Sequence, residues 1–144
     1  MFEKITAFLP NMGAKHFGEW IIDTENDGTP EHPRQLPWVK YDDKIISFVE
    51  EVWHFHEEHP EFELANYKEI AANNNIEWRE ESVYNACVAS LCGQAVMALI
   101  FGLIREDRFC EGLLLDFCED GIVTEWLERL KAIDDDSNAA KGTI

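Results

Sequence analysis

The stretch that decides the fold is SVYNACVASLCGQAVMALIFGLI, Ser82 to Ile104, followed at once by REDRFCEG, Arg105 to Gly112. The first part carries no charged side chain, so no face of a helix built from it is suited to water. Its length would span a bilayer. However, Asn85, Ser90, Gly93 and Gln94 interrupt the run, and no basic cluster flanks it to set an orientation. The reading is therefore a buried core helix, or two short ones broken near Cys92-Gly93, with no membrane partner. The charged cluster that follows lies where that helix should stop. Asp107 is placed as the N-cap of a next helix carrying Phe109, Leu113 and Phe117 at successive fours.

Working outward from this core, apolar residues keep helical spacing in most of the chain. Phe2, Ile5, Phe8 and Leu9 form a short turn that Pro10 and Gly13 should end. Asp42-Asp43 opens a helix with Ile45, Val49, Val52 and His56 on one stripe and Phe48 and Phe55 widening it; Pro60 closes it. A shorter helix around Leu64 to Ile70 runs into Asn73-Asn74-Asn75. After the Asp120-Gly121 stop, Ile122, Trp126, Leu130 and Ile133 share the face of a last helix. Only the segment near the N-terminus breaks the pattern. Gly18 to Asp23 alternates like a strand, Thr24 to Pro33 is polar and turn-rich, and Leu36 to Tyr41 reads as a return strand. Pro37 cannot donate to a ladder, so that strand should be an edge or carry a bulge. The expected fold is α+β and predominantly α: a bundle of four to six helices with one N-terminal antiparallel β-hairpin. A single globular domain over 1–134 is expected, with 135–144 as a disordered tail too poor in apolar residues to order itself.

Charge and thiols narrow the class. The net charge is −17, from 29 acidic against 12 basic residues shared almost equally by the two halves, so carboxylates must cover most of the surface. Such a field opposes direct nucleic-acid binding, which needs clustered Lys and Arg; the acidity could serve plain solubility, cation binding or attraction to a basic partner. The four cysteines include no C-x-x-C pair, and Met1-Phe2-Glu3-Lys4 does not open a secretory signal. A cytoplasmic protein with reduced thiols is expected.

Two segments carry a resemblance. Phe17-Gly18-Glu19-Trp20 with its following strand and loop resembles the N-terminal signature of an uncharacterised bacterial domain-of-unknown-function family. Arg105-x-Asp107-Arg108-Phe109-Cys110-Glu111-Gly112, continuing into Gly121-Ile122 and Leu127-x-Arg129-Leu130, resembles the same family's C-terminal signature. The likeness runs from about Phe8 to Leu130. It implies a small soluble bacterial protein, and it brings no activity, ligand or partner.

Candidate chemistry centres on the second signature. If Asp107 caps a helix, Cys110 falls in its first turn, where backbone N–H groups and the helix dipole stabilise a thiolate, with Arg105 and Arg108 close by. No histidine is near in sequence to act as base; His16 or the His54 cluster would have to approach in space. Against this stands a small packed residue at a helix contact, beside Gly112. Arg105, Asp107, Arg108 and Glu111 could form a recognition site for a charged ligand, or a cap with ion pairs that fixes a turn. In His54-Phe55-His56-Glu57-Glu58-His59, His56 and His59 share a helix face. They lack the i, i+4 spacing that puts two histidines on one metal, so no metal is expected. Trp20, Trp38 and Tyr41 are candidates for an aromatic binding surface on the hairpin or for a lid over the core, with the Thr24–Pro33 loop as a flexible flank. P-loop, G-x-G-x-x-G, G-x-S-x-G and EF-hand patterns are missing, and no cofactor is expected.

The favoured reading is a small acidic cytosolic binding or regulatory protein acting through protein–protein contacts. An enzyme or ligand-binding protein using Cys110 with Arg105, Asp107 and Arg108 is the rival. An acidic nucleic-acid mimic and a homodimer built on the apolar run are further alternatives.

Overall fold

The structure is a computed structural model that describes residues 1–13 and 16–142. Helices α1 (Glu3–Thr6) and α2 (Leu9–Met12) are followed by a hairpin of β1 (Gly18–Ile21) and β2 (Trp38–Tyr41). Then come α3 (Asp43–Glu58), α4 (Tyr67–Asn73), α5 (Glu80–Tyr84), α6 (Gly93–Asp107), α7 (Leu113–Glu119) and α8 (Ile122–Gly142). Two single 3-10 turns, Pro60–Phe62 and Leu64–Asn66, join α3 to α4. The fold is α+β and predominantly α, with one two-stranded antiparallel hairpin.

Helix α6 is the centre. Every residue from Ala95 to Ile104 is buried, as expected for a helix apolar all round. Phe48, Val52 and Phe55 of α3, Leu114 and Phe117 of α7, and Trp126, Leu127 and Leu130 of α8 belong to the same core cluster. Gly102 lets α4 and the Trp78 region approach closely, because a methyl group there would overlap Trp78 and Tyr67. Among the described residues no helix is long and apolar enough to cross a membrane. The uncharged run breaks over Asn85 to Cys92, so α5 and α6 divide it. At the other end of the core, the Asp134 carboxylate accepts the Phe2 main-chain N–H at 2.8 Å and ties the α1 end to α8.

Several boundaries differ from the sequence reading. Pro10 does not end a turn; it sits in the first turn of α2, where its missing N–H costs nothing. Both strands are four residues long, and Pro37 lies before β2, which removes the need for a bulge. Helix α6 runs through to Asp107, and α7 starts only at Leu113 with Gly112 as its N-cap. Asp107 is thus the last residue of one helix, not the cap position of the next. Phe109 lies in the turn between them and is 85% exposed. The chain stays helical beyond residue 134 as far as Gly142; residues 143 and 144 of the expected tail lie outside the described residues.

Register fixes how the hairpin sits. Gly18, Glu19, Trp20 and Ile21 pair with Tyr41, Lys40, Val39 and Trp38. Opposite residues share a face, so Trp20, Val39 and Tyr41 form one face, with Val39 buried and Tyr41 half-buried. Glu19, Ile21, Trp38 and Lys40 form the other.

Candidate functional site

The two signature segments meet in space. Gly112 has φ of +88°, a left-handed conformation that costs other residues about 1–2 kcal/mol. A methyl group there would also overlap the Trp20 indole. The α6–α7 turn is therefore shaped by a glycine against which the hairpin's tryptophan lies. Beside it, Glu111 Oε1 accepts the Val39 main-chain N–H at 2.8 Å, a donor that the ladder leaves pointing outward.

Asp107 completes the junction. Its Oδ1 accepts the Tyr41 hydroxyl at 2.9 Å and the Leu114 N–H at 3.0 Å, and the Tyr41 oxygen accepts the Leu115 N–H at 3.2 Å. A helix start leaves its first N–H groups without partners, and Gly112 has no side chain to supply one. Asp107 does the capping expected of it, from the end of the preceding helix and with help from a strand tyrosine. Burial raises the Asp107 carboxyl above the ordinary carboxylate range, partly offset by the Leu114 and Tyr41 bonds. Burial, then the Asp107 charge, raises the Tyr41 phenol as well. The neighbouring Cys118 thiol is pushed up to about 12 by burial and the same charge, so it stays protonated.

The remaining members of the charged cluster part company. Arg105 lies 5.9 Å from the Phe101 ring centroid. Glu106 accepts the Tyr67 hydroxyl at 2.8 Å and meets Lys68 at 3.7 Å. Cys110 is exposed in the turn, its N–H donating to the Glu106 carbonyl at 2.9 Å. It is not in the first turn of a helix, so the expected dipole and free N–H groups do not act on it. Cys110 and Glu106 line a hollow of about 250 Å3 with Trp78 and Arg79, and none of the described histidines lines it. Asp107 and Arg108 line a different groove, of about 400 Å3, between α3 and α6. Of the grouping of Cys110 with Arg105, Asp107 and Arg108, Cys110 thus lines one hollow, Asp107 and Arg108 line the other, and Arg105 lines neither.

The histidine cluster also disperses. His54 is exposed, 3.9 Å from Glu51. His56 packs against Trp53 and Phe101, with ring centroids 5.8 and 4.6 Å away, and its buried Nδ1 has no hydrogen-bond partner among the described residues. His59 Nδ1 meets Glu61 at 2.9 Å. His16 bonds Asp42 at 2.9 Å, which raises its pKa. Among the described residues no group of three or more His, Cys, Asp or Glu could hold a metal ion.

Sequence reasoning missed the organisation of the hairpin loop. The Asp23 carboxylate accepts the N–H groups of Glu25, Asn26 and Gln35 at 3.1, 3.1 and 2.9 Å and the Asn26 amide at 2.9 Å. These bonds hold its pKa far below the usual carboxylate range. Asp27 takes the Thr29 N–H and hydroxyl at 3.0 and 2.7 Å, and Arg34 Nε bonds the Asn26 carbonyl at 2.8 Å. The stretch read as flexible is closed on itself. Its signal was available: Asp-x-x-Asn and Asp-Gly-Thr are strings in which a carboxylate bonds the backbone just ahead. At the base of this loop Ile22, Leu36 and Trp38 remain 64%, 86% and 45% exposed.

Among the described residues no strand pairs with the outer edge of β1. Asp42 N–H donates to the Phe17 carbonyl at 2.9 Å. With the observed register, Glu19 and Ile21 then bond to β2 while Gly18 and Trp20 turn their N–H and C=O groups away from it.

No curated protein and no solved structure matches the chain. The family of unknown function DUF6508 matches over residues 2–136, which include both signature segments and the whole junction they form, and the chain belongs to that family.

Proposed function

We propose that this is a small acidic cytoplasmic binding protein that acts through protein–protein contacts, using the hairpin to take up an extended, basic segment of a partner. The observation that carries this reading is the free edge of β1 beside exposed apolar side chains. Gly18 and Trp20 offer unpaired main-chain groups to an added strand, and Ile22, Leu36 and Trp38 supply apolar area next to it. Glu111 occupies the Val39 N–H of the opposite edge, which leaves β1 as the edge to extend. The charge of −17 favours a basic segment and disfavours pairing with a second copy of the same chain.

The enzyme reading is weaker because Cys110 shares its hollow with neither a histidine nor Asp107. Affinity capture from the native host tests the proposal, comparing the wild type with Trp38→Ala and Leu36→Asp. The expected result is a basic protein retained by the wild type, released as salt screens the exposed charges, and lost by both variants. Retention unchanged in variants shown by circular dichroism to be folded would refute it.

A further inference from the structure

The groove between α3 and α6 is independent of the hairpin edge. Its volume of about 400 Å3 falls in the range of small-ligand sites, about 300–1,000 Å3. Its walls are apolar: Ile46, Val49 and Trp53 from α3 face Ile104 and Leu114. Ile46 is left 47% exposed there. Four polar side chains reach the groove. Two of them, Tyr41 and Asp107, are already bonded to each other and to the start of α7.

The other two are Glu50 on α3 and Arg108 just past α6. Neither forms an ion pair or a side-chain hydrogen bond among the described residues, with each other or with anything else. Both are solvent-exposed side chains that line the groove. An apolar groove lined by one free cation and one free anion is complementary to a ligand that carries both charges beside an apolar body.

We propose that this groove binds a zwitterionic amphiphile of the hydrophobic α-amino-acid type. The ligand carboxylate takes the fork of Arg108, its ammonium meets Glu50, and its side chain lies against Trp53 and Val49. A ligand of zero net charge also escapes the repulsion that the protein's field imposes on an anion.

Isothermal titration calorimetry and amide-shift mapping with L-tryptophan test this, with tryptamine and indole-3-propionate as one-charge analogues. The expected result is binding whose shifts fall on α3, the end of α6 and the start of α7. Loss of either charge-assisted contact, by analogue or by Arg108→Gln or Glu50→Gln, should weaken it about tenfold or more. Trp38→Ala should leave it unchanged. The proposal is overturned if L-tryptophan, L-phenylalanine and L-leucine give neither heat nor shifts, if an analogue binds as well as the amino acid, or if the shifts map outside the groove.

Discussion

Helix α6 and the hairpin junction are held in place by opposite means. Around α6, seven large side chains (Val96, Met97, Leu99, Ile100, Phe101, Leu103 and Ile104) are buried with no directed bond between them. At about 1.5–3 kcal/mol for each buried side chain, they contribute on the order of 10 kcal/mol before entropy is counted. At the junction, three hydrogen bonds and one glycine contact join elements far apart in sequence, and a fourth bond links Asp107 to Leu114 across the α6–α7 turn. Each such bond is worth only about 1 kcal/mol net. The first region decides that the chain folds; the second decides where the hairpin lies and hence which strand edge stays open. Residues rich in chemistry, such as Asp107 and Glu111, are spent on holding backbone.

The contrast can be broken at either end. Phe101 is fully buried and touches Trp53, His56 and Tyr67. Phe101→Ala should cost about 4 kcal/mol of global stability in a urea titration. Asp107→Ala leaves the Tyr41 hydroxyl and the Leu114 N–H unpaired, and should cost about 2 kcal/mol. Asp107→Asn keeps an acceptor oxygen and should cost less. The pair also gives a pH dependence. Because burial raises the folded-state pKa of Asp107, the folded protein binds that proton more readily than the unfolded chain. The ionised form therefore subtracts stability, and the subtraction disappears as pH falls through the folded pKa. Wild-type stability relative to Asp107→Asn should accordingly improve as pH is lowered from neutrality into that range.

Smaller effects belong to the hairpin alone. Gly112→Ala should cost about 1–2 kcal/mol from its backbone conformation and displace Trp20, which a changed tryptophan emission would report. Glu111→Ala should cost about 1 kcal/mol, with faster amide exchange at Val39 as its local sign. If Glu111→Ala instead lowered stability as much as Phe101→Ala, the division between the two regions would fail.

What the sequence made legible follows the same line. Uniformly apolar or striped segments declare themselves, because burial depends on local pattern: α3, α6 and α8 were readable from Ile45/Phe48/Val52, from the uncharged run, and from Ile122/Trp126/Leu130. The junction was only half readable. That Asp107 would serve a helix start could be seen from its place before Leu113. That it would do so from the previous helix could not, since α6 continues where a charged cluster suggested a stop. The partner of Asp107, Tyr41, lies 66 positions away, and no local spacing encodes that distance. Cys110 was misplaced for the same reason: moving the helix start to Leu113 takes it out of the first turn. The Asp23 loop was legible in principle, through short-range side-chain to backbone bonds, and composition alone concealed it.

The central claim is that Tyr41 and Asp107 act together to dock the hairpin on the α6–α7 turn. A double-mutant cycle of Tyr41→Phe and Asp107→Ala tests it most directly. Unfolding free energies of the four proteins should give a coupling of about 1 kcal/mol or more, as for residues in one hydrogen-bond network. Costs that simply add, within about 0.3 kcal/mol, would contradict it.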